Sequence, residues 1–262
     1  MLPAELLGLY DATMRFDARV AGCARETTSR TSRYTTATGS LRYVMWHRFD
    51  ERDSDDAISL EETAATGHAQ ALMWKVYEHD TPSDHLRERL LARGFAEHDP
   101  CALMVASVAQ VLDALPEVVA DIVVRQLLAP DELDAYQQIW DAVWPDAPNA
   151  RYVNDYRRLA ANHDPGVAFF AGFAEGDVPV SSGYMFFSPT SPFAHLCGGA
   201  TRAPWRHRHA YTAMLAARAQ HALVRGAAFL SVEASPQSQP ILERLGFARL
   251  SNLLFYEKSL SA

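Results

Sequence analysis

The chain has 262 residues, 48% of them hydrophobic, and 24 Lys+Arg against 32 Asp+Glu give it a formal charge of −8. That composition supplies a core for one large or two modest domains. It argues against a general nucleic-acid binder, which needs a net basic face to neutralise phosphates. No apolar run reaches the roughly 18 residues that span a bilayer, and MLPAELLGLYDATMRFD carries acids where a signal peptide has a basic flank. The expectation is a cytoplasmic protein, off the membrane, working as a monomer or homodimer. Cys23, Cys101 and Cys197 are widely spaced and without a Cys-x-x-Cys pair, so they read as small core residues rather than disulfide or zinc ligands.

Taken in order, residues 1–22 read as a helix and the polar stretch 25–40 as a loop with an edge strand. LRYVMWHRF is strand-like, the acidic segment 50–56 reads as a solvated loop, and ISLEETAATGHAQALMWK runs into a strand near 72–77. HLRERLLARGF is a short amphipathic helix ended by Gly94. Residues 107–120, with Pro116, form the natural connection between two halves. Next come a strand in DIVVRQLL, a helix capped by Asp131, a helix over 150–162, and a hairpin turning at Glu175-Gly176-Asp177. FAHLCGGAT is a strand, 209–225 a helix stopped by Gly226, FLSVEA a buried strand, QPILERLGF a short helix and NLLFYEKS a last strand. Strand, helix and Gly-Phe thus occur twice, at Gly94-Phe95 and Gly246-Phe247, which suggests a duplication. The order predicts a mixed α/β (α+β) fold, with a mostly antiparallel sheet and one parallel strand after the long helix.

Between Asp177 and Glu233 there is no Asp, Glu or Lys, while Arg202, Arg206, Arg208, Arg218 and Arg225 all fall there. The segment WRHRHA stands at the start of the long helix, where backbone N–H groups lack intrahelical partners and the positive end of the helix dipole points outward. A phosphate is favoured at such a place, and arginines add bidentate contacts. His207 and His209 with His221 offer a rival metal reading, but histidines two apart at a helix start point to different faces and no acidic ligand is near; no metal is expected. A third reading has the arginines simply solvating a helix end.

GGATRAPWRHRHAYTAMLAARAQHALVRGA followed by FLSVEASPQSQPILERLGF resembles the acyl-CoA motif, and the strand and helix after it, of the GCN5-related N-acetyltransferases (GNAT family). Their cradle reads Arg/Gln-x-x-Gly-x-Gly/Ala or Arg-Gly-x-Gly-x-Tyr; with Arg206 leading, the first form puts its small residues at His209 and Tyr211, the second puts its glycines at His207 and His209 and matches Tyr211, and either way both glycines are missing. The likeness is good over 184–256, weaker over 119–183, and WKVYEHDTPSDHLRERLLARGF is similar to the N-terminal halves of tandem members in which one copy has lost its cofactor loop. The resemblance implies a GNAT fold in two tandem copies, a central mixed, mostly antiparallel twisted sheet flanked by helices, with a degenerate domain over 1–118 and an N-acyltransferase domain over 119–262.

It also implies acetyl-CoA (or another acyl-CoA) as co-substrate, bound by Ala200, Thr201, Ala203, Arg206, His207, Arg208, His209, Ala210, Tyr211 and Ser235, and a primary amine of a small molecule as acceptor, attacking the thioester directly. Replacing the glycines keeps the backbone N–H groups, but a position that needs φ > 0 costs a side-chain-bearing residue on the order of 1–2 kcal/mol. Glu233, an acid in an otherwise apolar strand, is the first candidate base and His195 the second. The family's acid, a tyrosine four residues before Gly-Phe, is here Leu242, which leaves Tyr184, Tyr211 or water. The alternatives are a carrier-protein thioester or aminoacyl-tRNA as donor, and a non-catalytic CoA-fold binding protein.

Overall fold

The computed structural model describes residues 2–98, 100–116 and 121–260, so the expected connection over 107–120 lies partly outside them. Helix α1 (Pro3–Tyr10) runs into a π-helical turn over Asp11–Phe16. Then come β1 (Cys23–Thr27), β2 (Thr31–Thr36), β3 (Arg42–His47), α2 (Ser54–Ala65), β4 (Ala71–Tyr77), α3 (Asp84–Ala92), β5 (Ala96–Glu97), β6 (Cys101–Ser107) and α4 (Val108–Ala114). The rest is β7 (Val123–Leu127), α5 (Asp134–Val143), α6 (Asn149–Ala161), β8 (Val167–Ala174), β9 (Val178–Phe187), β10 (Phe193–Thr201), α7 (Ala210–Val224), β11 (Phe229–Ala234), α8 (Gln239–Arg244) and β12 (Ala248–Ser259). No helix among the described residues is long and apolar enough to cross a membrane.

Three local expectations need correction. The acidic segment 50–56 is not all loop: α2 starts at Ser54, because Ala57, Ile58, Glu61 and Ala65 form a buried helical stripe and Asp55 and Asp56 suit the dipole of the first turn. The polar stretch 25–40 holds most of a two-stranded hairpin, whose outer strand β1 is largely exposed, as an edge strand tolerates. Asp131 does not cap α5; it opens a 3-10 turn, and Glu132 instead accepts the N–H groups of Leu128 and Ala129 (2.6 and 2.8 Å).

The chain forms two compact units, neither of them one continuous stretch: Met1–Met104 with Glu233–Ile241 and Ala248–Ala262, and Val105–Val232 with Leu242–Phe247. In the first the strand order is β1-β2-β3-β4-β12, antiparallel except for β3 and β4, which are parallel and joined by α2. Val44, Ile58, Leu72, Trp74, Leu86, Leu90 and Tyr256 pack α2 and α3 onto it. In the second the order is β7-β8-β9-β10-β11, antiparallel except for β10 and β11, which are parallel and joined by α7. Each unit is thus an antiparallel meander closed by one strand–helix–strand crossover, the plan expected of a duplication. The Gly-Phe markers agree in detail. Gly94 and Gly246 have φ of 81° and 85°, the left-handed stop that only glycine takes cheaply. Phe95 and Phe247 each donate their N–H to the carbonyl five residues back, Leu90 and Leu242, so α3 and α8 end in the same cap.

In the first unit a buried cation ties α1 to the sheet. Arg15 is fully buried; its guanidinium bonds Asp11 and Asp80 (2.8 Å each) and the Met45 carbonyl (2.9 Å), and lies 3.8 Å over the Tyr77 ring. Removing one partner of a buried pair strands the other's charge. Arg15→Met is expected to lower the unfolding free energy by about 3–5 kcal/mol, measured by urea titration; a loss below about 1 kcal/mol would show the network is relaxed by water.

Candidate functional site

The second unit's crossover from β10 to α7 holds most of the residues singled out in the sequence. Strand β10 pairs with β9 along its length, but its rungs to β11 end at Leu196↔Val232. From Cys197 to Thr201 it runs on beyond that last rung, with a register shift against β9 between Cys197 and Ala200. A gap therefore opens beside β10, bordered by backbone that parallel pairing would otherwise occupy.

Gly198 of β10 and Tyr184 of β9 lie in close contact. Gly198 has φ +59°, and a Cβ there would stand 2.4 Å from the Tyr184 ring and 3.2 Å from Trp140. Only glycine lets Tyr184 lie against the strand. Tyr184 also stacks on Tyr156 (4.9 Å between ring centres) and Phe186 (5.3 Å), while Trp140 donates its Nε1–H to Ser182 Oγ (3.0 Å). Burial holds the Tyr156 hydroxyl far above the usual phenol range, so it stays a hydrogen-bond donor beside Tyr184.

After Thr201 the chain makes a 3-10 turn, Ala203–Trp205, and then the exposed stretch 206–209. His207 and His209 have φ of +59° and +63°. Both hold the left-handed backbone for which a glycine would normally be used. His209 is the N-cap of α7, and its carbonyl accepts the helix's first i→i−4 bond, from Ala213 N–H (2.9 Å). The N–H groups of Ala210, Tyr211 and Thr212 precede that bond and point out of the helix start. Two side-chain-bearing residues thus keep a backbone path that glycine takes more cheaply.

The arginines divide by position. Arg206 donates Nε–H to the Thr201 carbonyl (3.1 Å), folding its guanidinium back over the turn. Arg208 lies 4.3 Å over the Trp205 ring and 3.5 Å from Asp121, an exposed pair that screens easily. Arg202 and Arg225 bond the carbonyls of Pro179 and Pro165, away from the turn. Arg218 is different: 2% exposed, it donates to the Met214 and Cys197 carbonyls (3.3 and 3.4 Å), and burial pushes its guanidinium below its ordinary value. Gly183 makes room for it, since a Cβ there would be 2.8 Å from Nη1. A buried positive charge therefore backs the part of β10 that borders the gap.

Of the other sequence candidates, Ala200 is buried in the β9 pairing, Ala203 is exposed in the 3-10 turn, Ala210 packs with Ile122, Ala174 and Val180, and Tyr211 is half-buried, its hydroxyl raised by burial. His195 is 7% exposed, and its Nδ1 meets Ser231 Oγ at 3.0 Å across the parallel rung, so the structure makes it a bonded interior histidine. Glu233 and Ser235 belong to the stretch counted with the first unit. There Lys75 Nζ donates to both Glu233 oxygens (2.9 and 2.7 Å) and the Tyr77 hydroxyl donates to Oε1 (2.6 Å). Burial and the adjacent carboxylate drive the Tyr77 hydroxyl well above the phenol range, so it remains the donor. Ser235, exposed, is 3.3 Å from Ser238. Sequence reasoning missed Lys75, Tyr77 and Gly198: the first two lie more than 150 positions from Glu233, and no local signal links them. Among the described residues no group of three His, Cys, Asp or Glu is placed to hold a metal.

No protein-family model and no curated protein matches the sequence. Solved structures do match the fold. A functionally unknown conserved protein from Staphylococcus epidermidis superposes with a TM-score of 0.68 at 11% identity, over 96% of this chain and 98% of that one. A GCN5-related N-acetyltransferase from Kribbella flavida gives 0.64 at 16%, over 97% and 93%. A tandem GNAT protein from the clavulanic acid biosynthesis pathway gives 0.60 at 13%, over 95% and 86%. The chain therefore has the GCN5-related N-acetyltransferase fold over nearly its full length, with a tandem protein among its likenesses, as the sequence resemblance implied.

The left-handed turn makes a direct prediction. Changing His207 and His209 to Gly exchanges a strain of about 1–2 kcal/mol per residue for a backbone-entropy cost of about 0.5–1. The double variant is expected to be as stable as the parent or up to about 3 kcal/mol more stable in urea melts, whereas His209→Val should be clearly destabilised, because a β-branched side chain resists φ > 0. A double-glycine variant less stable by more than about 1 kcal/mol would contradict the strained turn.

Proposed function

We propose that the second unit binds an acyl-CoA, with acetyl-CoA as donor, and transfers the acyl group to a primary amine of a small molecule. The observation that carries this reading is the junction of β10 and α7: backbone that holds the glycine path at His207 and His209, open N–H groups at a helix start, two arginines beside it, and a strand that runs on past its last parallel rung. The fold of the GCN5-related N-acetyltransferases supports it. In this proposal the N–H groups of Ala210, Tyr211 and Thr212, with Arg206 and Arg208, hold the pyrophosphate, and His207 and His209 add imidazole N–H donors. The pantetheine arm lies along Cys197–Thr201 and uses the backbone groups that β11 does not take.

The chemistry is a direct displacement. The amine nitrogen attacks the thioester carbonyl carbon, the tetrahedral oxyanion collapses, the C–S bond breaks, the thiolate takes a proton and the new ammonium loses one. Backbone N–H groups bordering the gap, with the Arg218 charge behind them, stabilise the oxyanion. Tyr184, against Gly198, is the proposed proton donor to sulfur. Glu233, whose oxygens accept two bonds from Lys75 and one from the Tyr77 hydroxyl, belongs to the first unit and is given no step in this transfer. The acidic overall charge suits a cationic acceptor.

The test is release of free thiol from acetyl-CoA over a panel of small primary amines. Turnover is expected with at least one amine, and Tyr184→Phe should lower kcat by about 100-fold with little change in KM for acetyl-CoA. Unchanged kcat would remove Tyr184 as the acid. Transfer from a carrier-protein thioester and none from acetyl-CoA would replace the donor; neither transfer would leave a binding protein.

A further inference from the structure

The first unit contains a serine, a histidine and an aspartate in nucleophile–base–orienter order, none of them a residue of the proposed amine-transfer site. Ser251 Oγ is 2.7 Å from His79 Nδ1, and His79 Nε2 is 2.9 Å from Asp11 Oδ2. Three parts of the sequence contribute. The β4–β12 ladder ends at Leu253↔Tyr77, with one more bond from Glu78 N–H to the Asn252 carbonyl (2.8 Å), so His79 and Ser251 face each other just beyond the last rung. Asp11 begins the π-helical turn that leaves α1, a helix irregularity that recurs at functional sites.

The hydrogen bonds assign the tautomer. Asp11 is ionised: the His79 and Arg15 bonds and the Arg15 charge outweigh its burial and hold its carboxyl below the usual range. An ionised carboxylate accepts, so His79 carries its proton on Nε2 and turns a bare Nδ1 to the serine. The Ser251 hydroxyl proton then points at that nitrogen, with the Asn252 carbonyl at 3.2 Å as its other acceptor. The ring nitrogens play exchanged parts relative to the usual triad, which leaves the proton transfer unchanged. Arg15 lies 3.3 Å from Nε2 and bonds both Asp11 and Asp80, so its guanidinium fixes the Asp11 carboxylate beside the imidazole. The Tyr77 ring, 5.4 Å away, fixes the imidazole plane edge to face. Ser251 is 8% exposed and the His79 and Asp11 side chains are about a quarter exposed, so solvent reaches the cluster from the His79 and Asp11 side.

We propose that Ser251, His79 and Asp11 form a second catalytic site, in which Ser251 is acylated by short-chain activated esters and then hydrolysed. Ser251 Oγ forms a bond to the ester carbonyl carbon as its proton passes to His79 Nδ1. Collapse breaks the bond to the leaving oxygen, which takes that proton. Water then attacks the acyl-serine by the same relay, releasing the carboxylic acid and restoring the serine. The site needs neither CoA nor the β10–α7 turn, so it stands or falls separately from the amine transfer proposed above.

Full-length protein treated with a small alkyl fluorophosphonate, and separately with p-nitrophenyl acetate, tests this by intact mass, peptide mapping and nitrophenolate release. One adduct on Ser251 is expected, absent in Ser251→Ala, and formed about 100-fold more slowly in His79→Gln. Circular dichroism of each variant checks the fold, and the mapping of the unaltered protein decides on its own if a variant unfolds. No adduct on Ser251 in the folded parent, or an equal rate in a folded His79→Gln, would overturn the proposal by reducing the three residues to a tie between α1, β4 and β12.

Discussion

Left-handed backbone at two non-glycine residues is the constraint on which the β10–α7 junction depends. A chain leaving a strand for a helix across its own sheet has to reverse quickly, and φ near +60° at alternate positions does so while turning N–H groups outward. His207 and His209 hold this shape against a steric penalty. What offsets that penalty is close by: Trp205 and Arg206 N–H bonds to the Arg202 and Ala203 carbonyls, the Arg206 side chain on Thr201, and Ala210 sealed among apolar neighbours. Strain kept by surrounding structure is what a binding turn requires, because the ligand then meets donors already in place.

The same plan, built twice, carries different side chains in the two units. Both units close an antiparallel meander with a strand–helix–strand crossover and end the following helix in a left-handed glycine and a buried phenylalanine. The turns entering the two crossover helices differ in charge. Ahead of α7 the chain reads RAPWRHRH; ahead of α2 it reads RFDERD, whose carboxylates repel a phosphate. The first unit instead invests its polar residues below the surface, on alternate positions of and just after β4: Lys75 and Tyr77 on Glu233, His79 on Ser251 and Asp11. Period-two alternation puts Lys75 and Tyr77 on one face of β4, and His79 follows in the turn just past its end.

Legibility in the sequence followed the range of the interactions. The α7 start, the Gly-Phe stops and the parallel strand after a long helix are set by neighbours within a few positions, and residue order displays them. That His207 and His209 would take φ > 0 was not readable, since the sequence shows only that glycine is missing. Glu233 was readable as an unusual acid in an apolar strand, but not its partners, because Lys75 and Tyr77 reach it only through tertiary packing. The same holds for Gly198, an ordinary glycine in GGAT until the Tyr184 ring is seen against it. The α2 start was misread because an acidic run looks like a solvated loop until its buried stripe is counted from Ala57 onward.

The account rests on pyrophosphate recognition at the β10–α7 turn, and calorimetric titration of acetyl-CoA beside S-acetyl-pantetheine, which lacks the pyrophosphate, tests it most directly. The account predicts that acetyl-CoA binds at least about tenfold more tightly, a difference of about 1.4 kcal/mol, and that Arg206→Ala narrows the gap. Equal affinity for the two compounds, or no heat from either at millimolar concentration, would contradict it.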